Sequence, residues 1–155
     1  MAPGAKVLTV SDATHRGERD DRSGPALVDR LSEHGFEVSE HLVVPDGVES
    51  VATAIRQMAA GFAGVIVTTG GTGFAPTDQT PEATLSVLER HAPGLAEATR
   101  SASPLGRLTR GVAGTVGQCI VLNVPGSAAG AVECLETVID VLPHALDLLA
   151  GASPH

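Results

Sequence analysis

The chain has 155 residues, of which 43% are hydrophobic and only 2% aromatic, and it carries a net charge of -8 at pH 7. This length fits a single domain, residues 1–155, with a core built from aliphatic side chains. The acidic balance excludes general nucleic-acid binding, because no basic stripe is present to neutralise a phosphate backbone.

Alternating strand and helix patterns run along the chain. In order they predict strand, helix, strand, helix, strand, helix, a shorter helix, two strands and a final helical region that Pro143 either kinks or divides. The predicted strands cover residues 6–10, 36–44, 64–68, 112–116 and 119–124. The predicted helices begin near Gly24, Asp46, Thr80, Pro93 and Ser127.

This alternation is typical of an α/β protein. We expect a three-layer α/β/α sandwich whose sheet is mostly parallel, with one hairpin turning at Gly117-Gln118. Three helix starts have local capping signals: Asp46 with Glu49 resembles a capping box, while Thr80 and Ser127 are residue types that cap helices.

The chain has no apolar run near the ~20 residues of a membrane span and no N-terminal targeting pattern. We therefore expect a cytoplasmic protein that binds neither membrane nor nucleic acid. Cys119 and Cys134 lie in apolar surroundings without metal-ligand spacing, which favours buried thiols over a disulfide.

Four polar connections follow the predicted parallel strands and should meet at one edge of the sheet. They are the highly charged segment at 11–24 and the connections at 45–47, 69–80 and 123–127. Ligands of open parallel sheets bind at this edge, so the four connections predict a common cleft.

The connection at 69–80 contains Gly70, Gly71 and Gly73, which allow backbone amides to approach and surround an anion. Neither the phosphate-binding loop pattern that ends in Gly-Lys nor the dinucleotide pattern G-x-G-x-x-G is present. The glycines alone are therefore a weak signal, because glycine occurs in many turns.

Asp46 and Asp78 are each open to two interpretations. Asp78 either decorates its loop and caps the next helix, or holds a Mg²⁺ ion that bridges nucleotide phosphates. Asp46 presents the same alternatives. The histidines show no metal-ligand spacing, and no hydrolase signature such as G-x-S-x-G is visible.

Taken together, several motifs resemble the molybdenum cofactor biosynthesis family of MogA/MoaB type, which includes the G domains of gephyrin and plant Cnx proteins. The matching segments occur in the family's order along the chain. They are VSD at 10–12, DRSGPAL at 21–27, VVPD at 43–46, TTGGTGFAPTDQTPEAT at 68–84, APGLAEA at 92–98, SPLGRLTRGVAGTVG at 103–117, NVPGS at 123–127 and LPHALDLLAG at 142–151.

The resemblance implies a homotrimer or hexamer that binds molybdopterin and joins it to ATP, giving adenylyl-molybdopterin and pyrophosphate with Mg²⁺. It implies catalytic and metal-binding roles for Asp46 and Asp78, and a downstream molybdenum-insertion protein as a partner. Thr109 and Arg110 correspond to a Ser-Arg pair near the pterin phosphate. The other implied substrate-binding residues are Ser11, Asp21, Ser23, Gly70, Gly71, Thr72, Gly73, Asn123, Pro125, Gly126 and Ser127.

Two departures from the family pattern concern positive charge. Thr77 stands where many relatives have Arg or Lys, and Ala128 begins a stretch where relatives often have a lysine. Lys6 is the only lysine of the chain. These departures keep open a non-catalytic, pterin-binding or scaffolding role. A CinA-type domain acting on nucleotide derivatives is a third alternative, against which Thr72 and the single Asp78 argue.

Overall fold

The computed structural model describes residues 1–152. Among them are six strands: β1 Gly4–Val10, β2 Glu37–Val44, β3 Ala63–Thr69, β4 Arg90–His91, β5 Ala113–Val116 and β6 Gln118–Val124. The helices are α1 Asp12–His15, α2 Ser23–Glu33, α3 Val48–Ala59, α4 Thr80–Val87, α5 Pro93–Arg100, α6 Ala128–Glu136 and α7 Leu142–Leu149, with a 3₁₀ helix at Pro104–Leu108.

The strands form one sheet in the order β2-β1-β3-β6-β5-β4. The strands β2, β1, β3 and β6 are parallel, whereas β5 pairs antiparallel with both β6 and β4. Gly117, with φ of 55°, makes the β5–β6 turn. The predicted fold class, a mostly parallel sheet with one hairpin, is confirmed.

Helices cover both faces of the sheet, which makes three layers. Consecutive residues of β3 separate the two cores, because side chains alternate along a strand. Val65 and Val67 pack with α2, α5, α6 and α7, whereas Ile66 packs with α3 and α4. Each side chain of these three residues is fully buried.

Three local expectations differ from the structure. The charged segment 11–24 contains the helical turn α1, held by Ser11, whose hydroxyl accepts a hydrogen bond from the Thr14 amide. The strand β4 has only two residues and was too short to give a sequence pattern. The final helical region is divided earlier than Pro143, because α6 ends at Glu136 and α7 begins at Leu142.

Both cysteines are buried and unlinked, as predicted. The Cys119 thiol contacts the Phe62 carbonyl oxygen at 3.1 Å, and the Cys134 thiol contacts the Thr99 carbonyl oxygen at 3.4 Å. Within residues 1–152, each helix is too short or too polar to cross a bilayer.

Candidate functional site

The carboxyl ends of the four parallel strands lie side by side. Val10 pairs with Val44, and Thr69 pairs with both Thr9 and Val124. Hydrogen bonds then tie the connections together: the Ser11 amide donates to Val44, and the Gly70 amide donates to Val124. The four predicted connections therefore do meet at one sheet edge.

The cleft at this edge has two lobes, which we call the first and the second lobe. The first lobe has a volume of about 780 Å³ and the second about 680 Å³. Both lobes are lined by Gly71, Asp78, Gly126 and Ser127, which we call the shared wall. Two ligands bound in the two lobes would face each other across these residues.

Charged and polar side chains line most of the remaining first lobe. Its polar lining residues include Thr9, Ser11, Thr14, Arg19, Asp20, Asp21, Arg22, Ser23, Asp46 and Thr69. The second lobe is lined mainly by small and aliphatic residues. They include Thr72, Gly73, Thr99, Ala102, Leu105, Leu108, Thr109, Pro125 and Ala129.

Asp46 directs its carboxylate into the cleft and not onto the helix that follows. Its Oδ2 accepts a hydrogen bond from the Asp12 amide at 3.1 Å, and its own amide donates to Asp12 Oδ1 at 3.0 Å. The predicted capping-box-like start with Glu49 is wrong, because Gly47 is the N-cap of α3 and makes no side-chain bond. Ser50 holds this turn instead, through its hydroxyl bond to the Pro45 carbonyl oxygen.

The environment of Asp46 disfavours its ionised form. Burial raises its pKa most, and the negative charges of Asp12 and Asp78 raise it further, while the Asp12 amide bond opposes the shift. A cation beside Asp46 and Asp78 would relieve this repulsion.

Asp78 is also free of any capping role. Its Oδ2 accepts the Ala75 amide at 3.0 Å, and the N-cap of α4 is Gln79, which makes no side-chain bond. Thr80 does not cap α4 either, contrary to the sequence expectation. Its buried hydroxyl donates to the Gly70 carbonyl oxygen at 2.9 Å, and its amide donates to the Gly71 carbonyl oxygen at 3.0 Å.

The turn that contains Gly70, Gly71 and Gly73, which we call the glycine turn, requires glycine at two positions. Gly70 and Gly71 have φ of 103° and 69°, in the region that side chains rarely adopt. A Cβ on Gly70 would collide with the Val10 carbonyl oxygen, and one on Gly71 would collide with the Thr80 hydroxyl and lie 3.1 Å from Asp46 Oδ1. The turn is therefore packed directly against the strand end and the carboxylate.

Arg110 supports the glycine turn from outside the two lobes. Its guanidinium donates to the carbonyl oxygens of Gly73 at 2.8 Å and Asp78 at 2.7 Å, and it forms an ion pair with Glu82 at 2.6 Å. Its amide donates to the Thr72 carbonyl oxygen at 2.8 Å. Arg110 lines neither lobe, whereas the adjacent Thr109 lines the second.

Asn123 likewise lies behind the cleft. It is buried, its amide nitrogen donates to the hydroxyls of Thr68 and Thr84, and its oxygen accepts the Val112 amide. Ser127 caps α6 as predicted, accepting the Gly130 amide at 3.1 Å. The start of α6 therefore lies at the shared wall, and the N-terminus of a helix favours an anion.

Asp21 is held from several sides in the first lobe. It accepts hydrogen bonds from the Thr9 hydroxyl at 2.8 Å and the Gly24 amide at 2.9 Å, and lies 3.0 Å from His41 Nε2. Ser11 and Ser23 line the same lobe. Sequence reasoning missed His41 as a support for Asp21, and nothing in the local pattern of β2 signals that role.

Arg19 and Arg22 also line the first lobe and were not singled out from the sequence. The only available signal was their position beside the DRSG motif, in the most charged segment of the chain.

Within residues 1–152, no cluster of three or more His, Cys, Asp or Glu side chains could hold a metal by itself. Asp46 and Asp78 provide two carboxylates at the first lobe. This donor set suits Mg²⁺, which usually binds one or two carboxylates together with water and substrate phosphates.

The fold is an open α/β sheet with a two-lobed cleft at the carboxyl edge of its parallel strands, which is where proteins of this class bind small ligands. Residues 6–144 match the family model described as a probable molybdopterin binding domain. The chain belongs to this molybdenum cofactor biosynthesis family.

Individual relatives agree with this membership. The chain is 35% identical over 152 residues to a molybdopterin adenylyltransferase of Helicobacter pylori strain J99, covering 94% of this chain and 86% of that protein. It is 37% identical to the Drosophila melanogaster molybdenum cofactor synthesis protein cinnamon, covering 92% of this chain but only 25% of that longer protein. The crystal structure of the molybdopterin biosynthesis enzyme MoaB from Thermus thermophilus superposes with a TM-score of 0.90 at 44% identity, covering 96% of this chain and 97% of that one.

Proposed function

We propose that this protein is a molybdopterin adenylyltransferase. A phosphate oxygen of molybdopterin attacks the α-phosphorus of ATP, a P–O–P bond forms, and pyrophosphate leaves with the electron pair of the broken bond. The observation that carries this proposal is the pair of lobes meeting at the shared wall. Such a reaction needs two anionic substrates held end to end, and little covalent chemistry from the protein.

We assign ATP to the first lobe and molybdopterin to the second. The first lobe has the charged side chains that a polyphosphate requires, and Ser11, Asp21 and Ser23 lie along it. The second lobe offers aliphatic contacts to a flat ring from Leu105 and Leu108, with the Thr109 hydroxyl available to the pterin phosphate.

The α-phosphate of ATP would lie at the shared wall. The backbone of Gly70 and Gly71, with the free amides at the start of α6, would orient and stabilise it there. Asn123 and Arg110 act from behind: Asn123 joins β6 to its neighbours, and Arg110 fixes the carbonyl oxygens of Gly73 and Asp78. They therefore position the wall rather than contact the reacting atoms.

Asp46 and Asp78 are the residues that would hold Mg²⁺. The bound ion would neutralise charge on the phosphates and on the leaving pyrophosphate. Without a cation, the two carboxylates would repel both substrates. The same residues thus explain why an acidic protein can use two anionic substrates.

The test is a product assay with molybdopterin, ATP and MgCl₂, which should give adenylyl-molybdopterin and pyrophosphate in equal amounts. Asp78→Asn should lower kcat about a hundredfold or more, since it removes charge at the centre of the reaction. Asp140→Asn is the matched control, because Asp140 is exposed and lies in the turn before α7. An equal rate in Asp78→Asn, or no product from folded wild-type protein with MgCl₂ present, would refute the proposal.

A non-catalytic, pterin-binding role is the second candidate. Thr77 and the stretch Ala128-Ala129-Gly130 favour it, because relatives often carry positive charge at the position of Thr77 and soon after the turn at 125–127. Calorimetry separates the two roles: tight molybdopterin binding without measurable binding of ATP and Mg²⁺ would support the second candidate.

We further propose that the protein works in the cytoplasm as a homotrimer or hexamer and passes its product to a molybdenum-insertion protein. The family resemblance is the support for this assembly. Light scattering after size-exclusion chromatography would measure the oligomer, and a monomer at micromolar concentration would refute that part.

A further inference from the structure

Two arginines in the first lobe have no assigned role. Arg19 and Arg22 are the only Lys or Arg side chains within residues 1–152 that line either lobe of the cleft. Both are exposed, and neither side chain forms a hydrogen bond or an ion pair with another described residue.

Four other cations within residues 1–152 have acidic partners. Arg16 pairs with Glu18. Lys6, which lies on β1 and does not line the cleft, pairs with Glu40 of β2. Arg30 pairs with Glu33 and Glu136, and Arg110 with Glu82. Arg19 and Arg22 thus face the cleft with their guanidinium groups uncommitted.

The segment that carries these arginines is anchored over the first lobe. Asp21, between them in sequence, is tied to Thr9 of β1, to His41 of β2 and to the first turn of α2. This anchoring fixes the backbone next to Arg22 at the edge of the lobe. The arginines are therefore part of a positioned loop, and only their side chains need to move onto a ligand.

The first lobe has more negative than positive side chains. Its walls contain four carboxylates, on Asp20, Asp21, Asp46 and Asp78, against the two guanidinium groups. A nucleoside triphosphate brings several further negative charges, and one divalent ion bound by two carboxylates does not neutralise them all. Thr77 and Ala128 supply no charge at the glycine turn or at the start of α6.

We propose that Arg19 and Arg22 bind the β- and γ-phosphates of the nucleotide in the first lobe, a proposal that rests on the assignment of this lobe to ATP. Both arginines line the first lobe and neither belongs to the shared wall, where the α-phosphate is assigned, so they are available to the outer phosphates. A guanidinium fork suits phosphate oxygens, because it forms two parallel charge-assisted hydrogen bonds. The arginines thereby supply the positive charge that is absent at Thr77 and in the stretch Ala128-Ala129-Gly130.

The experiment measures calorimetric binding of ATP, AMP and inorganic triphosphate, each with MgCl₂, to Arg19→Gln, Arg22→Gln and the double variant. Each single change should weaken binding of ATP and of inorganic triphosphate about tenfold, as expected for hydrogen bonds to charged groups. AMP affinity should change less than about twofold, because AMP lacks the two outer phosphates. The Kd of the wild type for ATP should also rise more steeply with salt than that of the double variant.

Arg56→Gln is the matched control, since Arg56 is exposed on α3 and lines neither lobe. Thermal melting should be unchanged in all variants, because the two arginines have no partners to lose. Equal weakening of AMP and ATP, unchanged binding in the double variant, or no binding of either triphosphate by the wild type would overturn the proposal.

The adenylylation assay separates this proposal from the proposed function. If the wild type forms product and the double variant keeps the wild-type KM for ATP, the arginine proposal fails alone. If the wild type forms no product but the double variant loses inorganic triphosphate binding, the adenylyltransferase proposal fails and the arginine site stands.

Discussion

The two lobes of the cleft have similar volumes but different walls. The first lobe is enclosed by charged residues from the segment after β1 and by Asp46, whereas the second is enclosed by the aliphatic 3₁₀ helix at Pro104–Leu108 and the start of α6. Only the shared wall is common to both. In the proposed reaction, each substrate is therefore recognised by a separate wall, while the reacting groups meet at the shared wall, which two connections of the chain supply.

The comparison implies that a change in the shared wall affects both substrates. Gly71→Ala should lower kcat/KM about a hundredfold for either substrate, because the added Cβ displaces Thr80 and approaches Asp46. The free energy of unfolding should fall by about 2 kcal/mol beyond the cost of a positive φ, from overpacking.

Gly61→Ala is the matched control for backbone strain. Gly61 has φ of 65°, close to the 69° of Gly71, but a Cβ there meets nothing within 4 Å. Chemical denaturation of both variants measures the difference. Equal losses of stability and activity in the two variants would contradict the role of the packed turn.

The shared wall should also respond to its support from behind. Arg110→Gln should lower kcat about tenfold, because the carbonyl oxygens of Gly73 and Asp78 lose the guanidinium hydrogen bonds that hold them in position. Glu82→Gln removes only the exposed ion pair and should change kcat less than about twofold. Steady-state rates with both substrates saturating test this contrast, and a larger loss in Glu82→Gln would reverse it.

A change confined to the second lobe should affect one substrate. Leu108 is 57% exposed, so Leu108→Ser should leave thermal stability unchanged. It should raise the KM for molybdopterin about fivefold through lost apolar contact and leave the KM for ATP unaltered. Leu85→Ser, at an exposed position of α4, is the control. A rise in the KM for ATP alone would exchange the assignments of the two lobes.

The smallest expected effect concerns stability at the first lobe. Because burial and neighbouring charge raise the pKa of Asp46, its ionised form is less favourable in the folded protein than in the unfolded chain. The ionised carboxylate therefore lowers the free energy of unfolding at neutral pH, and this loss of stability disappears as pH falls through the raised pKa. Asp46→Asn should raise Tm at pH 7 in metal-free buffer by no more than about 3 °C, with a smaller difference in mild acid.

Calorimetric scans at about pH 7 and in mildly acidic buffer measure this effect, since a larger fraction of a carboxyl with a raised pKa is protonated at the lower pH. Asp140→Asn should show no comparable change, since Asp140 is exposed. A lower Tm for Asp46→Asn at neutral pH would mean that the Asp12 amide bond outweighs the repulsion.

Local sequence patterns predicted five of the six strands found within residues 1–152 and most helices, and they located Asp46, Asp78 and the glycine turn at one sheet edge. Two capping predictions failed for a common reason. Asp46 and Thr80 both have the residue type of a helix cap, but more distant groups, the Asp12 amide and the Gly70 carbonyl oxygen, take their polar atoms. A capping signal describes local options and does not include such competition.

The sequence by itself determined the α/β class, the family and the order of the polar connections, because these depend on hydrophobic periodicity and on motifs written in adjacent residues. Only the tertiary structure decided that the cleft has two lobes, that Arg19 and Arg22 face the first, and that Arg110 and Asn123 lie behind the shared wall. Those outcomes depend on the direction of side chains and on contacts between distant segments, such as Arg110 with Gly73. Neighbouring residues in the sequence determine neither the direction of a side chain nor a contact between distant segments.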